Sequence, residues 1–285
     1  MRVVLLSLLI VALAWAALAG LGLMRWKAAG ERLRAAVDAA RADPVPGRVD
    51  FRELVDLPGP VQRYFRSVLT DGAPLVVALA VTHHGTFDMG ETSVRCKPFT
   101  SSQRIVTRSP GFLWDGAVAM LPGLTVRVHD AYVAGQGVLR AALLGLVPVA
   151  DLRGRGIAEG ELMRFFAEAA WYPTALLPSQ GVQWQAIDER SALATLEDRG
   201  VRATMTFRFG ADGLIESVHA DARGRTVRGK VVPTPWQGRW SNYAQRDGMR
   251  VPLTGEVAWL LPEGEKPYWR GTIESLRYEF AAARA

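Results

Sequence analysis

The sequence predicts a mainly β protein of α+β class: a large curled antiparallel sheet or open half-barrel, covered by one or two helices, behind an N-terminal transmembrane helix. Three observations carry this. From Leu75 onward the apolar residues repeat with a period of two, the mark of strands with one buried face. One helical stretch, at about 159–172, interrupts that pattern mid-chain. The chain also opens with Val3–Met24, 22 residues without a formal charge. Nothing shows the strand–helix alternation of a doubly wound enzyme.

A helix over Val3–Met24 would be about 33 Å long, enough to cross a hydrocarbon core of about 30 Å. Arg2 precedes it and Arg25-Trp26-Lys27 follows, as at a membrane interface. Residues 3–24 therefore read as a single-pass anchor in the cell membrane, with the lipid bilayer as partner. A cleaved signal peptide is the alternative, since Ala17-Leu18-Ala19 before Gly20 has the small-x-small form; against it, the apolar stretch exceeds a usual signal core. Two arguments on orientation conflict. Arg25, Lys27, Arg32, Arg34 and Arg41 after the span favour a cytoplasmic body. A short basic start before an apolar run is, however, how exported amino-anchored bacterial proteins begin, and on that ground the bulk of the chain is expected to be periplasmic or extracytoplasmic.

Residues 25–42 continue the helix, with Trp26, Gly30, Leu33, Val37 and Ala40 spaced by three and four. Asp43-Pro44-Val45-Pro46-Gly47 breaks it, so 1–24 reads as anchor, 25–50 as helical stalk and linker, and 51–285 as the β domain. A short helix at about 60–70 places Val61, Tyr64, Phe65, Val68 and Leu69 on one face. Strands are expected at 75–88, 92–97, 102–108, 111–120, 124–134 and 136–143. After the helix at 159–172, stopped by Pro173, six more follow as a meander at 192–198, 201–209, 214–223, 237–245, 250–261 and 268–280. Gly154-Arg155-Gly156 lacks the spacing and crossover unit of a dinucleotide loop and reads as an ordinary turn.

The formal charge is +6 and the pI about 9.8. Of 34 basic residues only Lys27, Lys97, Lys230 and Lys266 are lysine; the arginines are scattered and form no stripe, so no nucleic-acid partner is expected. The single cysteine, Cys96, rules out a disulfide framework and reads as a packing or edge residue. His83 and His84 are adjacent on a strand and point to opposite faces, so they cannot share a metal. No metal and no cofactor are expected.

Glu161, Arg164 and Glu168 share one face of the interhalf helix. An arginine between two carboxylates can orient a headgroup or tune an acid–base pair; the plainer reading, favoured here, is a surface ladder opposite an apolar face of Leu162, Phe165, Phe166, Ala169 and Ala170 that packs on the sheet. On the strand at 124–134 the apolar phase Leu124, Val126, Val128 runs into Asp130 and Tyr132, so either a bulge resets the register at His129 or Asp130 points inward and needs a partner such as an arginine. His219, Asp221 and Arg223 share the polar outer face of a strand. No catalytic residue is assigned; Asp130, Glu161, Arg164 and Glu168 are the acid–base candidates, and the reading leans away from an enzyme. The aromatic load of the body either fills the sheet's concavity or lines a cavity for an apolar ligand, whose candidate lining is Trp114, Phe165, Phe166, Ala169, Trp171 and Tyr172.

The stretches LPGPVQRYFRSVL (57–69), SPGFLWDGAV (109–118), DAYVAGQG (130–137), ELMRFFAEAAWYPTALLPS (161–179), TPWQGRW (234–240) and RVPLTGEVAW (250–259) resemble an uncharacterised bacterial family of membrane-anchored proteins, a domain of unknown function, over about 57–280. That resemblance implies no activity and no site. More remotely, the layout is similar to the periplasmic lipoprotein-carrier fold, an open half-barrel closed by a helix; a likeness of fold does not confer function. The expected function is membrane-tethered binding or carriage of a lipid or other apolar molecule in the bacterial envelope, with an enzyme on a lipid-like substrate or a structural partner of an envelope complex as alternatives. If residues 3–24 anchor the chain, the full-length protein stays with the membrane pellet on carbonate extraction; release into the soluble fraction would show cleavage or failure to insert.

Overall fold

The computed structural model describes residues 2–41, 47–90, 95–227 and 230–282. A single sheet of thirteen antiparallel strands dominates it. The first meander is β1 (Val76–Asp88), β2 (Cys96–Val106), β3 (Gly111–Leu121), β4 (Leu124–Val133), β5 (Gln136–Leu143) and β6 (Val147–Arg153). The second is β7 (Gln183–Asp188), β8 (Ser191–Asp198), β9 (Val201–Phe209), β10 (Ile215–Val227), β11 (Lys230–Arg246), β12 (Met249–Leu261) and β13 (Gly264–Phe280). They join where β1 pairs with β13, giving the order β6-β5-β4-β3-β2-β1-β13-β12-β11-β10-β9-β8-β7. The sheet is open, with β6 and β7 as its edges, and the mainly β class expected from periodicity is the class found.

The differences fall where alternation is absent. β6 and β7 are edge strands with little buried surface, so neither shows the period-two signal that the inner strands carry. Two strands expected at 92–97 and 102–108 are the single β2; residues 91–94 lie outside the described part, as do 42–46, which hold most of the expected break after the first helix.

Among the described residues three α-helices accompany the sheet: α1 (Arg2–Ala39), α2 (Gly59–Val68) and α3 (Arg155–Glu168). In α2 the residues Val61, Tyr64, Phe65 and Val68 are buried, as their spacing implies, against Phe209 and Trp184. α3 starts earlier than the apolar pattern suggests because Gly154, at φ 105°, turns the chain sharply out of β6. It ends earlier too. Pro173 has no N–H for the Ala169 carbonyl, which instead accepts from Tyr172 as the chain tightens to a 3₁₀ turn over Ala169–Trp171.

The core lies between the concave face of the sheet and α3 with the 3₁₀ turns that follow it. Phe166 packs edge-on against Phe207, Phe165 against Tyr172, and the Tyr172 hydroxyl donates to the Phe165 carbonyl at 2.6 Å. A smaller cluster occupies the convex face, where Val37 of α1 meets Ala78, Val106, Leu113, Ala131 and Val138. The segment read as a stalk is therefore docked on the sheet over much of its length. Phe165 and Phe166 are fully buried, so either Phe165→Ala or Phe166→Ala should cost about 3–5 kcal/mol, measured by denaturant unfolding of the full chain in detergent.

Candidate functional site

Between α3 and the concave face is a cavity of about 470 Å³ lined from both halves of the sheet. One wall is aliphatic, with Val118, Val126, Val128, Leu139 and Ala141 on β3–β5. The facing wall is aromatic, with Trp236, Trp240, Trp259, Tyr268 and Trp269 on β11–β13. Two rings of the lining, Trp114 on β3 and Trp269 on β13, lie along the sheet because a glycine sits beneath each: a Cβ at Gly116 would overlap the Trp114 ring, and one at Gly271 the Trp269 ring. Folding each indole over the glycine two residues along the same strand leaves the middle of the concavity open.

Polar groups enter this apolar space from three sides. Asp130 points inward: β4 pairs with β3 and β5 without a register break at His129, so the alternation continues and Asp130 takes the phase of Val126, Val128 and Tyr132. Its partner is Arg164 of α3, whose Nη1 donates to Asp130 Oδ2 at 2.7 Å and whose Nε donates to Glu168 Oε1 at 2.8 Å. Glu168 Oε2 accepts from Gln103 Nε2 at 2.6 Å. The guanidinium also lies over Phe112 and Trp114, about 5 Å from each ring centre. Arg223 of β10 completes the far side; it donates to the Gly160 carbonyl and to the Tyr268 hydroxyl, and rests on Trp236.

Glu161 lies among these charges at 4% exposure. Burial, with the Asp130 charge adding to it, pushes its carboxyl well above the ordinary glutamate range, only partly offset by Arg223 and Arg164. The shift favours the protonated carboxyl, which can donate a hydrogen bond. Its Oε2 and Asp130 Oδ1 make no hydrogen bond with the protein. The arrangement offers a donor–acceptor pair and two partly committed guanidinium groups to the polar end of a molecule whose remainder is apolar.

The favoured surface-ladder reading of Glu161, Arg164 and Glu168 is corrected by this geometry: Glu161 and Glu168 are buried and Arg164 half-buried against the cavity, because α3 crosses the concavity there. Of the expected lining residues, Trp114 lines the cavity. Phe165, Phe166, Ala169, Trp171 and Tyr172 do not; they are packed in the core on the sides of the chain turned away from the cavity. Arg223 also departs from expectation. A bulge between Ala220 and Arg223 swings it to the inner face, while His219 and Asp221 stay outside and hydrogen-bond each other at 3.0 Å. His83 is buried beside Trp171 and Trp269, where burial and the Arg164 charge push it down to about 3, so it is neutral; His84 is exposed. Cys96 is exposed and does not line the cavity. Sequence reading missed Arg223, Tyr268 and Trp259 as lining, although the repeated Trp-x-Gly at 114–116, 236–238 and 269–271 was a visible sign of rings laid on a sheet. Among the described residues no group of histidine, cysteine and acidic side chains could hold a metal.

Fold and site together define an open antiparallel sheet curled over a largely buried helix, with a polar cluster set into an apolar cavity. The chain belongs to DUF6920, a family of unknown function, whose model matches residues 55–278. No curated protein matches it. Among solved structures it is similar to a LolA superfamily protein of Nitrosomonas europaea, at 9% identity and a TM-score of 0.39, over 77% of this chain and 92% of that one, a likeness of general outline.

Because its carboxyl is raised in the folded state, Glu161 contributes most below the ordinary glutamate pKa of about 4.3, and that contribution is lost as pH rises through the raised value. Melting temperature followed against pH should therefore decline over that window in the parent chain, and Glu161→Gln should flatten the decline.

Proposed function

We propose that the protein is a membrane-tethered binding or carrier protein for a lipid or other apolar molecule in the bacterial envelope, with the folded body outside the cytoplasm. The observation that carries this reading is the cavity itself: about 470 Å³, within the range of small-molecule sites, apolar over most of its wall and polar at one cluster. An acyl chain would lie along Val126, Val128 and the tryptophans. Its ester or carboxyl end would meet Glu161, the free oxygen of Asp130, and Arg223. The long apolar helix α1, charge-free over Val3–Met24, supports placing this cavity at a bilayer, where such ligands are dissolved.

A second reading has its own observation. A carboxyl raised by burial, Glu161, beside the hydrogen-bonded Asp130–Arg164–Glu168 cluster is the kind of pairing an enzyme uses for proton transfer, on a lipid-like substrate here. The two readings part on the fate of the ligand.

Native mass spectrometry of the gently purified full chain should find a co-purifying lipid, intact under the carrier reading and cleaved or altered on incubation under the enzymatic one. A fluorescent fatty acid should bind and quench the tryptophan emission. Ala141→Trp, which fills the cavity from the β5 wall, should abolish binding with the circular dichroism spectrum unchanged. A chain that carries no lipid and takes none up would sink the carrier reading.

A further inference from the structure

Most of the large apolar side chains left exposed on the body gather at one end, with Val55 and Ile187 as exceptions elsewhere. Met89, Leu121, Val147, Val149, Val231 and Val232 are all exposed, and all lie at one end of the sheet. The register explains why. Alternate hairpins of a meander share an end, so the β1–β2, β3–β4 and β5–β6 connections lie together (Asp88↔Cys96, Leu121↔Leu124, Leu143↔Val147). The pairing Phe87↔Trp269 brings the start of β13 to that end, and with it the meeting of β10 and β11 at Val227↔Lys230.

α1 leaves the body at the same end. Val37 packs on Val106, Leu113 and Val138, far from the hairpin tips; Trp26 stacks on His129 midway, with ring centres 4.0 Å apart; Gly22 meets the Leu144 carbonyl in the β5–β6 turn. Beyond it the Trp15 indole lies against Gly123 in the β3–β4 turn. Trp15 is inside the charge-free stretch, ten residues or about 15 Å of helix before Arg25. The turn that carries Leu121 thus runs beside a part of α1 that belongs in hydrocarbon if α1 spans a bilayer. Arg25, Lys27, Arg95 and Lys230 are exposed around this end, where anionic headgroups would meet them. The cavity opens there too, for Met89, Gly90, Val149 and Thr226 line it.

We propose that this hairpin end is a membrane-docking rim: Leu121, Val147 and Val149 insert into the leaflet that holds α1, of a bilayer bearing anionic phospholipid, and the cavity mouth faces that leaflet, so that an acyl chain enters laterally from the membrane and not through water. The lateral entry rests on the reading of the cavity as a lipid site; the insertion of the rim does not.

The test uses the full chain in vesicles of phosphatidylethanolamine and phosphatidylglycerol. In a Cys96→Ser background, an environment-sensitive fluorophore is attached at Leu121→Cys or Val149→Cys, with Ile187→Cys, at the opposite end, as reference. Spin-labelled lipids should quench the first two and leave the third unquenched. Equal, water-like emission at all three positions would overturn the rim. Loading is measured separately with a fluorescent phospholipid. The pair Leu121→Asp and Val147→Asp, neither of which lines the cavity, should slow uptake from vesicles about tenfold or more, because charges resist entry into hydrocarbon, while uptake from detergent micelles is unchanged. Quenching at Leu121 without uptake from either source would leave the rim standing and overturn the cavity reading. Uptake from micelles without quenching would do the reverse.

Discussion

Pairing β1 with β13 ties residues 76–87 to residues 269–280, and most of the architecture follows from that long-range ladder. It joins two meanders into one sheet and leaves β6 and β7, the strands nearest each other in sequence across the midpoint, as the two far edges. The chain between them must then travel from edge to edge. It crosses the concave face, because only there do Leu162, Phe165 and Phe166 leave water. The cavity is the part of the concavity that α3 does not fill, bounded by one wall from each meander.

The same crossing sets the electrostatics. α3 has no solvent-facing side at its middle, so its charged stripe is buried along with its apolar one. Burying a guanidinium with two carboxylates gains little stability over an apolar replacement, since the cost of removing each ion from water offsets the attraction between them. The cluster is better understood through what it holds in place. Arg164 is fixed by Asp130, Glu168 and two aromatic faces, and Glu161 keeps a buried oxygen that no protein group hydrogen-bonds. These are conditions for orienting the polar end of an otherwise apolar molecule.

α1 is one continuous helix with two environments. From Gly22 to Val37 it docks on the convex face through Gly22, Trp26, Gly30 and Val37, spaced by four, four and seven, and the Trp26 indole both stacks on His129 and donates to Asp115 at 3.2 Å. Before Gly22 it is exposed and apolar. A helix continuous with its docked part cannot swing as one on a flexible tether does, so the apolar stretch before Gly22 is held in a fixed direction relative to the body, projecting past the hairpin end.

Local sequence was enough for much of this. Strands such as Val201–Phe209 alternate because each has one buried face, and α2 shows its stripe because it packs on one side only. Val3–Met24 declares itself by lacking charge. The inward turn of Asp130 was legible as one of two options, since its phase matches its apolar neighbours. The edge strands β6 and β7 were not legible, because a strand without a buried face has no alternation to display. Arg223 was assigned to the wrong face, because a bulge at Ala220 leaves no mark in the residue pattern. The burial of Glu161 and Glu168 was also hidden: a charged helical stripe looks the same whether it faces water or a cavity. Periodicity reports how many faces of an element are apolar, whereas what lies opposite a polar face is decided by strand pairings and crossings between residues far apart in the chain, here above all by β1 meeting β13.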